Sequence, residues 1–141
     1  MSRAEKVKNI VNSTQPGVSF SLIACNEYGI DWRDALNRTI EMGFQRFRLM
    51  SYWKLIEKEK GIYDFDELDE QVKIIKNSGG SISLSIGMRQ PRWPETHVPK
   101  WTKNLDVATI TTNYIAFHRA VIERYRDEEC IESWQLENEF W

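Results

Sequence analysis

Near its C-terminal end the chain reads Trp134-Gln135-Leu136-Glu137-Asn138-Glu139-Phe140. A carboxyl group can do two jobs in turn: as an acid it protonates a departing oxygen, and once ionised it activates water. The asparagine beside Glu139 adds a rigid amide that can bond a hydroxyl of the molecule being cleaved. An Asn-Glu dipeptide alone is more often a solvated strand end than a site, so the elements that hold it must carry the argument. Competing chemistries are poorly represented. Cys25, His97, His118 and Cys130 stand singly, without metal-ligand spacing. His97 reads as a surface histidine and His118 as a structural one. No Ser-His-Asp arrangement or phosphate loop is present, and neither a metal nor an organic cofactor is implied.

Four β-like runs alternate with helical stretches. The first, Val18 to Ile23, follows the turn signal Gln15-Pro16-Gly17. Asp31 can cap a helix from about Trp32 to Met42, ended by Gly43. Strand two spans about Gln45 to Met50. A long loop then leads to Asp66, a second candidate cap, and a helix from about Glu67 to Asn77 with Leu68, Val72 and Ile75 on one face. In strand three, Ser81 to Ile86, three aliphatics alternate with three serines, which sets the aliphatics toward outer helices and the serines inward. A proline-rich loop from Gly87 to Asp106 and a helix from about Val107 to Arg126 lead to strand four, about Ile131 to Glu137.

This β-α-β-α-β-α-β order predicts a parallel sheet of right-handed βαβ units. The longest polar loops follow strands two and three, where a barrel builds its active site. The first connection, Cys25-Asn26-Glu27-Tyr28-Gly29, is no dinucleotide turn. A TIM-type (βα) barrel takes about 250 residues, so four units in 141 residues make about half of one. The expected fold class is therefore α/β: a half-barrel in a single domain spanning 1–141. Its open edges predict self-association.

Bulk properties exclude other classes. A formal net charge of -2 offers no basic footprint for nucleic acid or anionic membrane. No apolar run approaches the roughly 18 residues that span a bilayer. The stretch Met1 to Asn12 is charged and lacks the apolar core of a signal peptide. Two cysteines are too few for a disulfide framework and read as reduced thiols, so a cytoplasmic protein is expected. Trp53, Trp93 and Trp101 lie in polar, proline-containing stretches, where an indole either packs the core or plugs a barrel end, as at least half of the tryptophans are expected to do, or stacks on the apolar face of a sugar.

The segment Phe47-Arg48-Leu49-Met50-Ser51-Tyr52-Trp53, then Glu57, Gly61-Ile62-Tyr63-Asp64-Phe65 and Leu68-Asp69, resembles the second βα unit of glycoside hydrolase clan A. It is most similar to family 42 β-galactosidases, where an Arg-x4-Trp segment leads into G-x-Y-D-F-x-x-L-D. The loop Gly87 to Pro94, with Pro91-Arg92-Trp93, is similar to the loop after strand three there. The Trp134 to Glu139 stretch resembles strand four, which ends in Asn-Glu. The likeness runs from about residue 17 to 141; families 5 and 39 share the Asn-Glu pair.

The resemblance implies retaining hydrolysis of a β-glycoside or oligosaccharide. Glu139 would be the acid/base, Asn138 the holder of the sugar hydroxyl, and Arg48 the group that keeps the nucleophile ionised. Trp53, Gln90 and Trp93 would contact substrate. The family's nucleophile is a glutamate on strand seven, a strand these residues do not contain, so the isolated chain is expected to be inactive. Glu27, read near the end of strand one, and Glu137, read as a barrel-core ion-pair member below the site, are not good substitutes at the 5 to 5.5 Å separation that retention requires. The rival reading is a non-catalytic carbohydrate-binding or assembly half-barrel.

Overall fold

A computed structural model describes residues 16–92 and 96–139. It contains β1 (Gly17–Ser19), α1 (Leu22–Glu27), α2 (Trp32–Glu41), β2 (Arg46–Tyr52), α3 (Trp53–Ile56), α4 (Asp66–Asn77), β3 (Ser81–Gly87), α5 (Val107–Tyr125) and β4 (Ile131–Leu136). A short 3₁₀ turn, Lys100–Thr102, precedes α5. The strands form one sheet in the order β1-β2-β3-β4, every neighbouring pair parallel. This is the consecutive, all-parallel order of a (βα) barrel, and it bears out the expected fold class.

Local chemistry explains most boundaries. Asp31 caps α2, accepting from the backbone N–H groups of Arg33 at 2.8 Å and Asp34 at 3.0 Å. Asp106 caps α5 through the N–H of Thr109 at 2.9 Å. Asp66 does not cap α4: the Oδ1 of Asp64 accepts the Asp66 N–H at 3.2 Å, which makes Asp66 the first helical residue. It joins Glu67 and Asp69 as an acidic first turn facing the positive end of the helix dipole.

Strand one departs most from expectation. It ends at Ser19, and the Phe20 N–H to the Arg48 carbonyl, 3.0 Å, is its last link to β2. The Ser21 hydroxyl then accepts the Ala24 N–H at 3.1 Å and starts α1. Glu27 consequently is the last residue of a helix and does not end β1.

The core lies between the sheet and its helices. Ile82, Leu84 and Ile86 are all fully buried, as are Leu36, Ile75, Phe117 and Val121 from α2, α4 and α5. Ser83 aligns across the sheet with Arg48 and Ser133, on the opposite face. On β4, Trp134 and Leu136 align with Leu84 and Ile86 and so share their apolar face, yet they are 38% and 61% exposed. Among the described residues no helix covers that end of the sheet. No described helix is long and apolar enough to cross a membrane.

Candidate functional site

Glu137, Asn138 and Glu139 follow directly on β4, at the C-terminal edge of the sheet. Across the sheet Arg48 donates from Nη2 to the Oδ1 of Asn138 at 3.0 Å. The structure thus brings together two of the three residues expected to do chemistry, 90 positions apart in the chain. Arg48 is half-buried, its Nε has no partner among the described residues, and burial pulls its pKa below the usual guanidinium value. An amide has one acceptor and two donor hydrogens. With its oxygen held by Arg48, Asn138 keeps its Nδ2 hydrogens for another acceptor. Glu139 is exposed, and its main-chain carbonyl accepts from Arg89 Nη1 at 2.9 Å.

The backbone here is unusual. Among the described residues, the non-glycine positions in the left-handed region are Arg92, Glu137 and Glu139, with φ of 83°, 57° and 53°. Each such position costs roughly 1–2 kcal/mol. They flank the ends of β3 and β4, and strain of this kind concentrates where function fixes geometry.

Glu137 was expected to be a core ion-pair member, but among the described residues no cation pairs with it. Its carboxylate accepts the backbone N–H of Met88 at 3.0 Å and of Arg89 at 2.7 Å. A carboxylate satisfied by two main-chain donors does not require a cation. The glycine ending β3, Gly87, was the available signal, because it leaves room for the group.

Two of the expected substrate contacts are buried. Trp53 is fully buried. Its ring stacks on Phe117, with centroids 5.7 Å apart and planes at 21°, and meets Trp101 edge-on at 5.9 Å. Its indole N–H donates to Glu57 Oε2 at 2.5 Å. Glu57, itself buried, accepts the Gly61 N–H at 2.7 Å, and its carbonyl takes the Trp101 indole N–H at 2.9 Å. Trp53 and Trp101 are packing residues because both indole donors are spent on one buried glutamate. Gln90 is also fully buried: its Nε2 donates to the Gly87 carbonyl at 3.1 Å and closes the turn after β3. Trp93, the third expected contact, lies outside the described residues.

His97 proves buried instead of surface-exposed. Its backbone N–H bonds the Met88 carbonyl at 2.8 Å and its carbonyl accepts from Lys54 N–H at 3.1 Å, tying the long loop over the end of β2. The imidazole packs edge-on to Tyr52 at 4.7 Å. Burial and the nearby Lys54 charge pull its pKa to about 4, so it is neutral at neutral pH. Tyr52, hydrogen bonded to Ser21 at 2.8 Å, is pushed up to about 12 by burial. Both line a cleft of about 240 Å³ with Ser21, Glu27, Tyr28 and Arg92, beyond the ends of β1 to β3. Sequence reasoning missed this cleft, since its floor depends on α1. Cys25 and Cys130 are free thiols.

No family model matches the chain. A β-galactosidase of Halorubrum lacusprofundi is 23% identical over 128 residues, covering 78% of this chain and 18% of that protein. The solved polyextremophilic β-galactosidase from that haloarchaeon superposes with a TM-score of 0.65 at 20% identity, over 88% of this chain and 21% of the other. An exo-β-1,4-mannosidase from an Opitutaceae bacterium gives a TM-score of 0.71 at 15% identity, over 88% and 24%. The chain spans about a fifth of the length of the curated relatives it matches. Sequence and fold both set it beside the clan A glycoside hydrolases, without specifying family 42. The fold is that of the first βα units of their TIM-type barrel.

Proposed function

We propose, from this likeness to clan A glycosidases and from the geometry at the end of β4, that the chain carries the acid/base half of a retaining β-glycosidase site. The curated relatives, both named β-galactosidases, support the β-galactosidase type. The observation that carries it is the Arg48–Asn138 hydrogen bond of 3.0 Å. It fixes the Asn138 amide oxygen and leaves the Nδ2 hydrogens to hold the hydroxyl next to the reacting carbon.

In this reading Glu139 protonates the departing oxygen and, once ionised, activates the water that releases the sugar. Arg48, with its Nε unpartnered, stands ready to stabilise an anionic nucleophile. That nucleophile would be a glutamate on a strand seven beyond these residues. Glu137 does not take the role, because both its oxygens accept main-chain hydrogens. The substrate is a β-glycoside, and Trp93 would stack on it.

Two measurements test this. Galactose titrated to high millimolar concentration should shift the side-chain amide signals of Asn138 and the guanidinium signals of Arg48 in NMR spectra. Unmoved signals with galactose, glucose and mannose alike would retire the reading. The isolated chain should also show no turnover of a nitrophenyl β-galactoside. Steady hydrolysis that disappears in Glu139→Gln would place a nucleophile within these 141 residues and overturn the assignment to strand seven.

A further inference from the structure

We propose that Glu137 is the positioning residue of this site: its carboxylate latches the end of β3 to the end of β4 and thereby sets where Asn138 and Glu139 stand. The proposal rests on the acid/base reading of Glu139 for its functional meaning, but its geometry is independent of that reading. Glu137 continues the β3–β4 ladder through its N–H, which donates to the Ile86 carbonyl at 2.8 Å. Its backbone then enters the left-handed region at φ 57°, a conformation that a glutamate adopts only under constraint. The constraint is visible. The two carboxylate oxygens divide the Met88 and Arg89 N–H groups between them at 3.0 and 2.7 Å, while the Gln135 amide holds the Glu137 carbonyl at 3.0 Å.

Arg89 completes the link from the loop after β3. Its N–H goes to Glu137, its carbonyl accepts the Asn138 N–H at 3.1 Å, and its Nη1 reaches the Glu139 carbonyl. Every residue of the Glu137-Asn138-Glu139 turn is therefore anchored to the loop after β3. Gly87 supplies an independent sign that the latch is built in. A Cβ placed on Gly87 would sit 2.6 Å from the Cδ of Glu137 and 2.8 Å from both carboxylate oxygens, and Gly87 has φ 146°. Only glycine lets the carboxyl lie across the chain at that point. Glu137 and Gly87 thus form a matched pair 50 residues apart.

The latch differs from a generic structural bond in what it controls. Releasing it frees the amides of Met88 and Arg89, and it also lets Asn138 drift from Arg48, because the left-handed turn has lost its restraint. The test uses NMR of the 141-residue chain. In the unaltered protein, scalar couplings through hydrogen bonds should connect the backbone nitrogens of Met88 and Arg89 to the Glu137 carboxyl carbon; their absence would overturn the proposal without recourse to any variant. Glu137→Gln removes the charge and one acceptor, whereas Gly87→Ala keeps the carboxylate and displaces it. Both should shift the Met88 and Arg89 amides upfield and also move the Asn138 side-chain amide and Glu139 carboxyl signals, with the remaining spectrum retained. Displaced Met88 and Arg89 signals with Asn138 and Glu139 unmoved would reduce Glu137 to a loop staple and sink the positioning role. The galactose titration above is scored separately. A null result there removes the glycosidase reading and leaves the latch to stand or fall on these resonances.

Discussion

Truncating Trp53 separates the packing role seen here from a sugar-binding one, because the two predict opposite behaviour of the folded chain. The ring is fully buried against Phe117, Trp101 and Tyr114. Trp→Ala changes in such sites cost about 3–5 kcal/mol through lost transfer energy and the cavity left behind. The change also strips the buried Glu57 carboxylate of one donor, and a hydrogen bond to a charged group is worth about 1.5–3 kcal/mol. The two contributions overlap, so about 4–6 kcal/mol is a reasonable sum for Trp53→Ala. That is a large fraction of the roughly 5–15 kcal/mol that holds a domain together. At about 3 °C per kcal/mol for a chain of this size, the melting temperature should fall by more than about 10 °C. Trp53→Phe keeps most of the ring and loses the indole donor, so it should cost about 2 kcal/mol, mostly from the Glu57 Oε2 left without its donor. Combining it with Glu57→Gln closes a double-mutant cycle whose coupling should be about 1 kcal/mol or more. Urea and thermal melts followed by circular dichroism give all four values. A Trp53→Ala midpoint within the roughly 0.5 kcal/mol typical of surface substitutions would refute the buried assignment and return Trp53 to the sugar-facing role.

Two further outcomes follow from other parts of the structure. The folded pKa of His97, about 4, lies below its ordinary 6.5, so unfolding takes up a proton between those values; the stabilisation is fully present above pH 6.5 and is lost as pH falls through 4, by about 3 kcal/mol in all. Urea midpoints should drop less steeply over that window in His97→Gln than in the unaltered chain, and parallel slopes would show that the imidazole is not held neutral by burial. Among the described residues nothing pairs with the outer edges of β1 and β4, and these edges, together with exposed Trp134 and Leu136, should make the chain associate at micromolar concentration; light scattering that returns a monodisperse monomer would defeat this.

Much of this organisation is local and could be read from the chain. The alternation of Ile82, Leu84 and Ile86 with serines, the stripe of Leu68, Val72 and Ile75, and the cap Asp31 define their elements through neighbours a few residues away. Parallel order then followed from the alternation of strand and helix. The Asn-Glu pair and Arg48 were nominated by the resemblance to clan A glycosidases, because an Asn-Glu dipeptide by itself reads as a solvated strand end. Short-range competition already blurred strand one, where the Ser21 hydroxyl converts an apolar run into a helix start.

What only the tertiary structure decided concerns side chains whose meaning depends on distant partners. Trp53 in a polar segment looked available to a ligand; its indole is instead consumed by Glu57 and covered by α5, some 64 residues downstream at Phe117. Gln90 and His97 have the polarity of surface residues, but the long loop folds back on Met88 and buries them. Glu137 shows the same limit from the other direction. Its charge suggested an ion pair, while its role comes from two amide hydrogens and a missing Cβ on a neighbouring strand. Sequence periodicity reports which face of an element is apolar. It carries no information about which backbone donor, 50 residues away, a carboxylate will meet, because that pairing exists only once β3 and β4 lie side by side.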